Sequence, residues 1–291
     1  MKYFHQISLR AQELPASEFE SLCQMAPDAR VHYGLNYTVQ KNDSEGDEFI
    51  RHALTLFKGH GLSRYTVAVP KHYGYTIMRQ YEESDVVQSE ILILLDAQTK
   101  LSSCKGWKMH REPIRDEQGR LLILASDAKP SLKFGSAHYP QSLFVVSDEV
   151  RQLLECGGLT GLHFGEVALK GKSAQVSPRP FWELCSTITL PKIANTDKLV
   201  HLGTEAEPFG GDYSRRVGLH DPPFSVGELH YRRSDLAAMG QFDIANMFEI
   251  YGFSRPLIVS QRFYQYCLKY KIMRAFSSRH WCVLPVRIDP D

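Results

Sequence analysis

Charge of either sign is barely in excess in this sequence: 34 Lys and Arg stand against 33 Asp and Glu, a formal net charge of +1. That balance removes the broad positive field with which a protein gathers nucleic acid or lies against anionic lipid. Long apolar runs are also missing. The longest, Ile91–Leu95 and Leu121–Ala125, are far too short to cross a bilayer. The opening residues, MKYFHQISLRAQELP, hold no continuous apolar core of the kind a signal peptide needs. The expectation is a cytoplasmic chain with no membrane and no nucleic-acid partner. Its six cysteines, at 23, 104, 156, 185, 267 and 282, contain no CxxC, so reduced and mostly buried thiols are expected rather than a disulfide framework or a zinc knuckle.

The usual signatures of chemistry are absent too. Neither GxGxxG nor GxxxxGK[ST] occurs, which leaves no glycine-rich phosphate cradle. GxSxG, HExxH and the kinase signatures are not found either. Ser102-Ser103-Cys104-Lys105 fits SxxK, but the pattern is short and no SDN or KTG follows it. Cys156 precedes Gly157-Gly158 and so falls at a helix C-terminus, whereas thiolates are favoured at N-termini. His201, His220 and His230 bracket a glycine-rich stretch, yet their spacing matches no compact ligand set. Asp243 and Glu249 could act as an acid/base pair, although nothing near them in sequence identifies a substrate. No catalytic residue, metal or cofactor is therefore expected.

What remains is ordinary globular material. Hydrophobic residues make up 43% and charged residues 23% of 291 residues, enough to bury one large core or two ordinary ones. Tyr3–Leu9 has the composition of a strand, and Ser17–Met25 that of a short helix, with Ser17 and Glu20 in capping-box spacing. The polar run Asn42–Glu48 suggests a surface loop, followed by a helix whose apolar face is Phe49, Ile50, Ala53, Leu54 and Phe57, ended by Gly59 or Gly61. Arg64–Val69 and Tyr73–Tyr81 resemble strands, Ser89–Asp96 a central strand, and Ile114–Ala125 a hairpin turning at Asp116–Gly119. Lys129–Pro140, with two prolines and a glycine, is the candidate boundary between an N-terminal domain (1–140) and a C-terminal one (141–291).

The C-terminal part writes one stretch twice. LFVVSDEVRQLL (143–154) and PLIVSQRFYQYC (256–267) align at an offset of 113, with Ser147 on Ser260. Val150, Leu153 and Leu154 then fall on Phe263, Tyr266 and Cys267, at +3, +6 and +7 from the serine, one face of a helix. A β-branched run precedes each serine, whose hydroxyl can accept from the first helical turn. A second apolar run follows in each copy, Glu166-Val167 matching Pro285-Val286 at an offset of 119. The expected fold class is α+β, in two lobes, the C-terminal one containing a duplicated strand–helix–strand unit. Ser234–Met239 suggests a short capped helix, and Phe242–Gly252 a short strand followed by a turn. Residues 203–227, with five glycines and three prolines, suggest a long loop of the kind that is functional or mobile.

The phrases Ser142–Ser147 through Gly161, Glu228–Leu236, Phe242–Ala245 and Pro256–Arg262 resemble bacterial immunity proteins. The nearest group is the double-CXXCG-motif immunity family, with the Imm11-type immunity proteins sharing the ending of valine-serine, helix, glycine-leucine and proline-valine. The resemblance covers roughly residues 140–290 and leaves the first half unplaced. It implies a cytoplasmic protein that binds and neutralises a cognate toxin encoded by a neighbouring gene, by occlusion and without catalysis. This chain lacks the CXXCG pairs, so no zinc is implied. Phe209, Tyr213, Arg215, Arg216 and Phe224 in the long loop, and Tyr264 on the second helix, are the expected toxin-binding residues. An enzyme acting on a small or toxin-modified substrate, with its site between His201 and Glu249, is the alternative; an adaptor assembled through the duplicated units is a third. Purified protein should carry no stoichiometric zinc and keep its melting temperature in chelator; one tightly held zinc per chain would contradict this.

Overall fold

The computed structural model describes residues 2–26, 30–31, 34–40, 44–65, 72–95, 99–101, 115–137, 143–171, 180–194, 200–201, 216–218, 229–251, 256–277 and 282–291. Helices and strands are mixed in an α+β fold with two sheet-containing lobes. The first is built on Met1–Tyr81, the second on Glu82–Gly218 with Gly227–Asp291.

In the first lobe the elements are β1 (Lys2–Arg10), α1 (Ala16–Met25), β2 (Arg30–Val31), β3 (Gly34–Gln40), α2 (Ser44–Gly59), β4 (Ser63–Tyr65) and β5 (His72–Gln80). The strands form one sheet in the order β2-β3-β1-β5-β4. Ile7 and Leu9 of β1 and Leu35 of β3 share a core with Phe19 and Leu22 of α1 and Phe49, Ile50, Ala53 and Phe57 of α2. The expected face of α2 is thus buried except for Leu54, which packs at its margin. Two starts differ from expectation. Ser17 does not cap α1; Pro15 stands at the N-cap, and its carbonyl accepts from Glu18 and Phe19. Ser44–Glu48 is the first turn of α2 rather than loop, where Glu45 and Asp47 complement the positive helix end. Gly61, at φ +67°, terminates α2 in the left-handed conformation that glycine adopts without strain.

The second lobe contains α3 (Glu83–Gln88), β6 (Ile91–Leu94), β7 (Thr99–Leu101), β8 (Leu121–Leu124), β9 (Phe134–Ala137), β10 (Leu143–Ser147), α4 (Asp148–Cys156), β11 (Leu162–Lys170) and β12 (Phe181–Ser186). It continues with β13 (Val200–His201), β14 (Arg216–Gly218), β15 (His230–Arg232), α5 (Arg233–Ala237), β16 (Ile244–Asn246), β17 (Ile250–Tyr251), β18 (Leu257–Ser260), α6 (Gln261–Lys269) and β19 (Val283–Asp289). The expected boundary at 140/141 falls inside this lobe, because β6 is hydrogen-bonded between β18 and β19 and β8 lies against β11. The hairpin expected at Ile114–Ala125 is reduced to the Asp116–Arg120 turn, an isolated bridge between Arg115 and Leu121, and β8. Ser234 does not cap α5; Arg232 stands at the N-cap and the Ser234 amide donates to Asp291.

The duplicated serines stand where expected. Ser147 and Ser260 are N-caps of α4 and α6 with near-identical backbones, φ/ψ −71°/161° and −71°/159°, and each hydroxyl accepts from the amide three residues on. Each serine amide also donates to a carbonyl preceding the neighbouring strand, Lys133 in one copy and Asp243 in the other. Both helices end on a left-handed residue, Gly158 (φ 61°) and Lys271 (φ 53°), at the same offset as the serines.

The correspondence reaches well beyond strand–helix–strand. One sheet contains β9-β10-β12-β11-β8 in order, with β7 outside β9; the other is β16-β18-β6-β19-β15. In each, the first three pairings are antiparallel and the last parallel. The registers agree as well: Val145 and Gly165 flank Glu183 as Ile258 and Leu284 flank Ile93. Glu166 lies opposite Trp182 as Pro285 lies opposite Leu92, which is the pairing of Glu166 with Pro285 read from the sequence. Each repeat therefore runs central strand, edge strand, outer strand, capped strand, helix and return strand, from β6 to β11 and from β12 to β19.

Leu154 is 1% exposed, so Leu154→Ala should cost roughly 2–5 kcal/mol, whereas the half-buried Leu153 should cost less when truncated. Ser147→Ala should cost about 1 kcal/mol, and Ser260→Ala more, because the Ser260 hydroxyl also donates to the buried Asp243 carboxylate. Urea unfolding midpoints at constant m-value measure all four changes.

Candidate functional site

The carboxylates singled out by sequence, Asp243 and Glu249, do not form an acid/base pair. Asp243 follows the turn that leads into β16 and is 1% exposed. One carboxylate oxygen accepts from the Thr160 amide (2.9 Å), the Thr160 hydroxyl (3.2 Å) and Arg262 Nη1 (2.9 Å). The other accepts from the Ser260 hydroxyl at 2.8 Å. A buried carboxylate with four protein donors is engaged in structure on both of its oxygens. Its work is to join the repeats: Thr160 follows α4, while Ser260 and Arg262 begin α6. The second Arg262 nitrogen donates to the carbonyls of Gly157 (3.4 Å) and Gly158 (3.1 Å), groups that the end of α4 leaves without helical partners. Beside them the Tyr266 hydroxyl donates to the Leu153 carbonyl at 2.6 Å. Gly157 leaves room for that tyrosine ring, since a Cβ there would lie 2.7 Å from it.

Glu249 is buried elsewhere and accepts from the Ile193 amide at 3.0 Å. The fully buried Tyr231 phenol is pushed far up, first by burial and then by the charge of Glu249. His230 lies 2.8 Å from Asp289, whose carboxyl is held below the usual range mainly by that hydrogen bond. This pair reinforces the parallel pairing of β15 with β19. His201 is described only as backbone in β13 and His220 lies outside the described residues. Among the described residues, no group of three or more His, Cys, Asp or Glu is placed to hold a metal.

Of the expected binding residues, Phe209, Tyr213, Arg215 and Phe224 lie outside the described residues, as does most of the 203–227 loop. Arg216 begins β14, which pairs with β13 on one side and β17 on the other. Tyr264 is not exposed as expected: it is 2% exposed, and its hydroxyl accepts from the Phe276 amide at 2.8 Å. The reason is the width of the buried stripe on α6. Ile272, Met273 and Phe276 of the following segment are buried too, so position +4 from the serine joins +3 and +7 in the core. Among the described residues Tyr270 is an exposed aromatic instead, at 38%, its ring centroid 4.5 Å from that of Tyr266 and tilted by 39°.

An ion pair with a buried carboxylate escaped sequence reading. Glu183, in the central strand β12 and 4% exposed, receives both terminal nitrogens of Arg115 at 2.8 Å. The equivalent position in the other sheet is Ile93. Only the alignment of β6 with β12 would have revealed this charge among aliphatics, and the two strands share too little sequence to be aligned. The neighbouring Cys185 thiol is pushed up to about 12, first by burial and then by Glu183, which leaves it protonated and unreactive at neutral pH. Trp182 donates to Asp148 at 2.9 Å, and Arg151 sits 4.6 Å over its ring. No protein-family model, curated protein or solved structure matches this chain.

Asp243→Ala should cost about 3 kcal/mol, because four donors lose a buried charged acceptor. Arg262→Ala should cost about 1 kcal/mol, since its guanidinium is half exposed and screened by solvent. Equal losses in denaturant unfolding would contradict the hub role given to Asp243.

Proposed function

We propose that the chain is a cytoplasmic, non-enzymatic immunity protein that binds and neutralises one bacterial toxin encoded beside it. The observation that carries this reading is the fate of its buried ionisable side chains. Asp243 is bonded to four protein donors and Glu183 to Arg115, an arrangement that supports a structural task for these groups. The resemblance of residues 140–290 to immunity proteins supports the same reading. The phrases that carry it include the Ser147 and Ser260 caps and Asp243, residues on which the folded body depends. In the described residues, no helix is long and apolar enough to cross a membrane.

A blocker of a lethal enzyme needs a slow off-rate, hence nanomolar affinity or better, roughly −12 kcal/mol. That strength takes an interface on the order of 1,600 Å² with a few buried aromatic and arginine anchors. Phe209, Tyr213, Arg215, Arg216 and Phe224 are the residues proposed to supply them; Tyr264, being buried, is not. Co-expression with the neighbouring toxin should rescue growth at one protein per toxin molecule, and the complex should survive gel filtration. Replacing those five residues by Ala should abolish rescue with the melting temperature nearly unchanged. Rescue far below stoichiometry would indicate turnover and overturn the proposal.

A further inference from the structure

In each of the two large sheets of the second lobe, an interior strand belongs, by chain order, to the other repeat. β6 opens the first repeat, yet it lies between β18 and β19 of the second. β12 opens the second repeat, yet it lies between β10 and β11 of the first. Past its end each strand returns to its own repeat. Thr99–Leu101 runs parallel to β9, and Thr189 bridges in parallel to Asn246 of β16, with backbone bonds from Leu190 to Asn246 and from Asn246 to Ile188. The exchange is reciprocal and its two halves are alike.

Such reciprocity is the property of a two-fold interface, where a residue near the axis meets its own equivalent. Leu153 and Tyr266 occupy equivalent positions 113 residues apart, and they are the pair joined at 2.6 Å. Around them lie the Arg262 bonds to Gly157 and Gly158 and the Asp243 hub. All four residues of β6 are buried, as are three of the first four of β12. Withdrawing either strand would split a sheet and bare two apolar edges, so neither repeat is complete without the other.

We infer that the second lobe is a strand-exchanged pair of repeats held together by this two-fold seam, and that the seam holds them once the chain is cut after Gly171. Uncut, the chain is a tether that raises the effective concentration of one repeat near the other. The partner that fits each repeat's open sheet is therefore a second copy of the repeat itself.

The test is to cut the tether in the full chain. A protease site inserted after Gly171, which is exposed, allows cleavage of the folded protein. If the insertion resists cleavage, co-expression of residues 1–171 with 172–291 produces the same broken chain. The two pieces should co-elute at the mass of the intact protein. The melting temperature of the second lobe, independent of concentration before cleavage, should rise with protein concentration afterwards, as association replaces an intramolecular step. Pieces that part on the column, or a melting temperature that stays independent of concentration, would overturn the inference.

Discussion

A strand in the middle of a sheet must be hydrogen-bonded on both sides and covered on both faces, and in each of the two large sheets of the second lobe one such strand, β12 or β6, is lent by the other repeat. Most of the lobe's other features follow from that constraint. The repeats cannot separate without exposing the edges of β10, β11, β18 and β19, so the seam between α4 and α6 must be closed. It is closed with polar groups because two helix ends meet there. The last carbonyls of α4 and the first turn of α6 carry backbone atoms that require partners, and Arg262, Tyr266, Thr160 and Asp243 provide them.

This arrangement changes the meaning of the polar residues. In sequence, Asp243 resembled half of an acid/base pair and Tyr264 an exposed recognition residue. In the fold, Asp243 is buried and bonded through both oxygens to groups of the two repeats, and Tyr264 is buried with its hydroxyl accepting from the Phe276 amide. A buried charge is costly unless it is paired and hydrogen-bonded, and both Asp243 and Glu183 meet that condition. Such groups fix one arrangement of the two repeats against others. That suits a protein whose proposed task is to present a fixed surface to one partner.

The parts of the fold that could be read from sequence were the local ones. A valine-rich run, a serine and apolar residues at +3 and +7 specify strand, cap and buried helix face within a dozen residues, and both copies obey. The face of α2 and the central place of Ile91–Leu94 were also legible, since burial on all sides leaves a continuous aliphatic run. The exchange was not legible. β6 and β12 share little but apolarity, and Glu183 replaces an isoleucine in the middle of the pattern. The long segment between β12 and β15 has a much shorter counterpart between β6 and β8, which destroys a constant offset. The boundary at residue 140 misled for a related reason: proline and glycine mark a local break in regular structure, and a repeat that lends its first strand places its boundary upstream.

Native-state hydrogen exchange on the intact chain, comparing Leu154→Ala with the parent protein, probes the interlock most directly. Leu154 lies in the first repeat's helix, remote in sequence from β18 and β19. If the repeats are interlocked, the substitution should speed exchange by the same free energy in β10 and β12 and in β6, β18 and β19, because all open together. Acceleration confined to Leu143–Ser186, with Ile91–Leu94 and Leu257–Ser260 exchanging at the parent rate, would contradict it.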